Sequence, residues 1–86
     1  MFEAVEFIEL RGQPKPTERL VGEFHDEMTA VEAARAAKVD FMEAGSNEYA
    51  WWMVRKSGAS LAQFIADSKS DKEFVLDLTT GQLVEV

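Results

Sequence analysis

The sequence predicts an α+β domain of two layers, a mostly antiparallel sheet with one main helix packed on one face, in the order β-β-α-β-[short α]-β-β. Three observations lead there. A long alanine-rich segment with helix-start and helix-stop residues stands between shorter stretches of alternating apolarity. The aromatic-rich stretch EYAWWMVRK follows it, and the closing stretch EFVLDLTTGQLVEV carries the glycine-marked turn of a hairpin. Residues 1–86 are read as one domain, because 86 residues hold a single core.

In residues 2–10, alternation sets Phe2, Ala4, Ile8 and Leu10 on one face of a strand, with Glu6 as the exception. A helix with Phe2, Val5 and Ile8 in line fits almost as well. The strand is preferred because RGQPKPT follows and ERLVGEF then has the look of its partner. Two prolines two residues apart cannot continue a hydrogen-bonded ladder and favour an extended loop.

The main helix is expected over 27–44. Asp26 or Thr29 can cap it, and Thr29 with Glu32 fits a reciprocal capping box. Gly45 stands where a left-handed residue ends helices. Ala30, Ala33, Ala34, Ala37 and Ala44 gather on one side with Phe41, a surface that brings the helix axis close to a sheet and leaves volume for a large residue opposite. Trp51 or Trp52 is the natural filler.

Consecutive strand residues point to opposite faces, so the two tryptophans cannot share a core. Tyr49, Trp51, Met53 and Arg55 form one face; Ala50, Trp52, Val54 and Lys56 form the other. Both are apolar until the last residues, the pattern of a central strand covered on two sides. In GASLAQFIADS, the spacing of Leu61, Phe64 and Ile65 and a Ser60/Gln63 capping box predict a short helix over 59–66. A strand there would set Leu61 and Ile65 on one face with Gln63 between them. The C-terminal hairpin is expected to turn through Thr79-Thr80-Gly81, placing Leu78 opposite Gln82, Leu76 opposite Val84 and Phe74 opposite Val86.

Composition narrows the function classes. With no cysteine, disulfides, thiolate metal sites and cysteine nucleophiles are excluded. A formal charge of -7 opposes phosphate backbones and anionic lipid unless basic groups are segregated. The stretch MFEAVEFIEL has acids every third residue and nothing of a signal peptide, and nowhere do about eighteen apolar residues run together, so no membrane span and a cytoplasmic location are expected.

Chemistry-bearing patterns are few. His25, Asp26 and Glu27 sit together, but acids at a helix start serve the dipole and the cap. The serines have no histidine at a motif spacing. DSKSDKEF places Asp67 and Asp71 at calcium-loop positions but has lysine where the third ligand belongs and no glycine at the sixth position. No cofactor, metal site or catalytic set is expected, and no enzyme. Arg11, Lys15 and Arg19 flank the proline loop and are the weak candidates for nucleic-acid contact; solvated loop charges are the preferred account of them.

The expectation is therefore a non-enzymatic interaction module, a homodimer or the partner of another protein. It works through whichever sheet face the helix leaves open, with Trp52, Val54, Trp51 and Met53 as candidate interface residues. The alternative is a nucleic-acid-related module, either a basic-hairpin binder or an acidic mimic. A small-ligand carrier with a tryptophan platform ranks below both, for want of convergent polar groups.

Overall fold

Alternating apolar residues produce strands wherever the chain is free of helix signals. The computed structural model, which describes residues 1–86, has six strands and one helix. These are β1 Phe2–Glu9, β2 Thr17–Phe24, α1 Glu27–Glu43, β3 Tyr49–Lys56, β4 Ala62–Asp67, β5 Glu73–Asp77 and β6 Gln82–Glu85. All strand pairs are antiparallel, in the spatial order β2-β1-β3-β4-β5-β6. This is the α+β, two-layer fold expected, without the short helix. No helix is long and apolar enough to cross a membrane.

Asp26 caps α1: its Oδ1 accepts the Thr29 backbone N–H at 2.9 Å and its Oδ2 accepts the Thr29 hydroxyl at 2.6 Å. Gly45, at φ +72°, ends the helix in the left-handed region, its N–H donating to the Met42 carbonyl. The helix lies on β1, β2 and β3 and reaches only the near side of β4. Arg35 ties it to β5 through a forked pair with Glu73, the shortest contact 2.7 Å.

Helix and sheet meet small against large. Ala30, Ala34 and Ala37 face Trp52, which is 0% exposed and flanked on β3 by Ala50 and Val54. Phe41 closes the indole edge-on, ring centres 5.5 Å apart. Trp52 is thus the core tryptophan. Trp52 and Val54, expected as interface residues, lie beneath α1: small side chains beside the indole on β3 and buried alanines on the helix make room for it on that side.

Glu6, the exception in β1's apolar face, lies under the helix at 5% exposure. Its register partners are Trp52 on β3 and Arg19 on β2, and both donate to it at 2.9 Å, the indole Nε1–H to Oε2 and Arg19 Nε to Oε1. Burial alone pushes the carboxyl up, but the Arg19 and Trp52 hydrogen bonds and the Arg19 charge outweigh it and hold Glu6 below the usual carboxylate range. A depressed folded value means that ionised Glu6 stabilises the fold in full above its unfolded pKa, near 4.3, and that this contribution fades as pH falls through the folded value. In urea titrations, wild type is expected to exceed Glu6→Gln in stability at neutral pH, with the gap narrowing from about pH 5 downward. A gap that stays constant with pH contradicts the assignment.

Two expectations are corrected. Residues 59–66 do not form a helix; Ala62–Asp67 is strand β4, with Ala62, Phe64 and Ala66 buried on the helix side. The Gln63 side chain that suggested a cap instead accepts the Lys56 backbone N–H at 3.0 Å, beside a β3–β4 register shift at Val54/Arg55. The final hairpin pairs Leu76 with Leu83, Val75 with Val84 and Phe74 with Glu85, one residue out from expectation. Asp77 Oδ1 takes the Thr79 N–H at 2.8 Å and starts the turn earlier, so Leu78 belongs to the loop. Gly81 does hold the left-handed position, at φ +72°.

Candidate docking face

Opposite the helix, the sheet is open. Register places Glu3, Val5, Phe7 and Glu9 of β1 on this face, beside Arg55, Met53, Trp51 and Tyr49 of β3. Asp67 and Ile65 of β4 continue the rows of Trp51 and Met53, and Phe74 of β5 follows Ile65. On the other flank, Leu20 of β2 sits beside Val5 and Glu18 beside Phe7. No element of the chain lies over these residues, for α1 packs only on the other side.

The middle of the face already packs like a core. Val5, between Leu20 and Met53, is 1% exposed although no layer covers it. Phe7 and Trp51 stack nearly parallel, 5.2 Å between centres and 8° between planes, and Tyr49 tilts toward Trp51 at 5.6 Å. Phe7, Trp51, Met53 and Ile65 remain half-buried. A shallow concavity of about 330 Å³ opens among Glu9, Tyr49, Trp51, Met53, Ile65 and Asp67.

That concavity has a negative field. The Tyr49 hydroxyl donates to Asp67 Oδ2 at 3.2 Å, and Lys69 Nζ lies 4.9 Å from the centre of the Tyr49 ring. Burial raises the Tyr49 phenol above its ordinary value, and the carboxylates of Asp67 and Glu9 raise it further. At the opposite end of the face, Arg55 is held by Glu3 at 3.1 Å, and its guanidinium reaches back along the face to Glu18, beside Phe7, at 3.4 Å.

Of the four candidate interface residues, the structure brings Trp51 and Met53 together on the open face and takes Trp52 and Val54 into the core. Phe7, Ile65 and Phe74 were missed; their alternation within the first strand and within 62–74 was the available signal. Arg11, Lys15 and Arg19 do not converge. Arg19 is engaged by Glu6, Lys15 lines a concavity of the proline loop with Glu9 and Gln13, and Arg11 sits beside Asn47 and Glu48. Asp26 is occupied as a helix cap, its pKa lowered mainly by the Thr29 hydroxyl, and no group of three His, Asp or Glu side chains converges to hold a metal ion. No protein-family model matches the chain, and no curated protein or solved structure matches it.

Proposed function

We propose that the protein is a non-enzymatic interaction module that self-associates through the open face of its sheet. One observation carries the reading: Phe7, Trp51, Met53, Ile65 and Phe74 form a continuous apolar stripe across four strands with no layer of the chain above it. Monomers seldom leave such a stripe to water. A flat apolar sheet suits another protein surface better than a small ligand, which needs a deep cleft. The nucleic-acid alternative has less support, since Arg19 is already paired and Arg11 and Lys15 line separate concavities. A cytoplasmic setting goes with the reading.

The area is sufficient but modest. Six strands about 4.8 Å apart and roughly six residues long give on the order of 550 Å² of projected sheet per copy. Two copies bury about 1,100 Å², just under the standard size of specific interfaces and in the range of weak, transient ones, so the concentrations to scan run from about the micromolar range upward. Light scattering coupled to gel filtration is expected to show the mass of wild type rising from one protomer toward two across that concentration range. Trp51→Glu, which sets a carboxylate in the middle of the stripe, is expected to stay monomeric with an unchanged circular dichroism spectrum. A wild type that remains one protomer in mass at every concentration overturns the proposal.

A further inference from the structure

The open face is not uniform along its strands. Its successive rows are Glu9 with Tyr49; then Phe7, Trp51 and Asp67; then Val5, Met53, Ile65 and Phe74; then Glu3 with Arg55. Glu9 and Asp67 therefore mark one end with no strand-borne cation beside them, while at the other end Glu3 is paired with Arg55. Arg55 is the single strand-borne cation of these rows, and its ion pairs with Glu3 and Glu18 lay the guanidinium along the face.

The acidic end has the chemistry of a guanidinium seat. Trp51 and Tyr49 supply two aromatic rings, Glu9 and Asp67 supply carboxylates, and the concavity of about 330 Å³ between them is wide enough for a planar cation. Lys69, poised over Tyr49, shows that a cation already rests at this end. Glu9 is exposed and has no ion pair within the chain.

Register then selects a symmetry. On β3, Tyr49 and Arg55 are equidistant from Trp52, as are Trp51 and Met53; on β1, Glu9 and Glu3 are equidistant from Glu6, as are Phe7 and Val5. Glu6, Trp52 and Ala66 form one ladder running across the sheet. A half-turn about an axis along that ladder, lying between two copies, sets Tyr49 opposite Arg55 of the other copy and Trp51 opposite its Met53, a sulfur-on-indole contact; it also sets Glu9 opposite the other copy's Glu3, with that copy's Arg55, 3.1 Å from its own Glu3, standing beside both carboxylates. An axis parallel to the strands instead gathers the carboxylate ends of both copies together, like charge against like.

We propose, resting on the self-association reading, that two copies stack head to tail about the axis across the strands, and that Arg55 of each enters the Glu9–Tyr49–Trp51–Asp67 concavity of the other. Aligned sheets cross at about 30° because both are twisted, an offset that the long arginine side chain spans.

The test is a charge exchange between copies. Arg55→Glu and Glu9→Arg are made separately, checked for fold by circular dichroism, and measured by sedimentation velocity alone and as an equimolar mixture. Each variant alone sets like charges together twice per dimer and is expected to weaken association at least about tenfold, while the mixture recovers to within about threefold of wild type, because both contacts then join opposite charges. A second measurement avoids charge: the chain has no cysteine, so Glu9→Cys and Arg55→Cys, each alone, are expected to give little covalent dimer with a short bismaleimide and their mixture to give much. A dimeric wild type whose variants associate normally, or whose mixtures neither recover nor cross-link, overturns the head-to-tail arrangement and leaves self-association standing. A wild type that never dimerises overturns both.

Discussion

Replacing Trp52 with alanine is expected to cost about 3–5 kcal/mol of folding stability, a large part of the roughly 5–15 kcal/mol available to a domain. The indole is 0% exposed, and the residues above it are Ala30, Ala34 and Ala37. Alanines have no side chain to swing into the void, so the cavity persists and its cost adds to the lost transfer free energy. The substitution also strips the Glu6 carboxylate of the Nε1–H that reaches it at 2.9 Å. Trp51→Ala, by contrast, removes a half-buried ring from the open face and is expected to cost about 1 kcal/mol, close to the worth of its stack on Phe7. Urea denaturation of the two variants checks this; equal losses contradict the assignment of the tryptophans to opposite faces.

Glu6→Ala is expected to cost about 3 kcal/mol, although the residue is an acid in a strand. The carboxylate is the acceptor for both Trp52 and Arg19, and without it the indole N–H is buried with no partner. Arg19 loses less, being more than half exposed at 59%. A double-mutant cycle separates the contributions: with Trp52→Phe already in place, removing Glu6 is expected to cost about 1–2 kcal/mol less than in wild type. Additive losses across the cycle contradict the claim that the indole hydrogen bond anchors the buried carboxylate.

Much of this architecture was legible in the residues. Asp26, the alanine face and Gly45 gave the helix; the prolines between the first two strands and Gly81 in the last hairpin gave the turns. The opposition of Trp51 and Trp52 followed from strand geometry alone. Which one turns inward did not follow, because period-two alternation defines two faces without saying which meets the helix. The deciding information lay in their companions. Ala50 and Val54 are small enough to leave an indole room beneath a close helix, whereas Tyr49 and Arg55 carry polar ends that want water. Glu6 read as a flaw in β1 because its two donors come from strands 13 and 46 residues away.

Residues 59–66 were misread for a related reason. Ser60 and Gln63 mimic a cap locally, and only the β3 ladder, present after folding, offers Gln63 the Lys56 N–H instead. Once β4 is a strand, Ile65 joins Trp51 and Met53 on the open face, so the error in the element also hid part of the site. The segment expected as a short helix extends the sheet instead, and the uncovered stripe grows accordingly.

Trp52 holds the protomer together, and the proposed dimer requires Trp51 to meet a second copy. Acrylamide quenching of Trp51→Phe and Trp52→Phe, each retaining one indole, measures both directly at dilute and at associating concentrations. The variant that keeps Trp51 is expected to be quenched readily when dilute and to be protected as the protein associates, while the variant that keeps Trp52 resists quenching at both. Quenching of Trp51 that does not change with concentration contradicts the account, as does a Trp52 indole that the quencher reaches in the folded protomer.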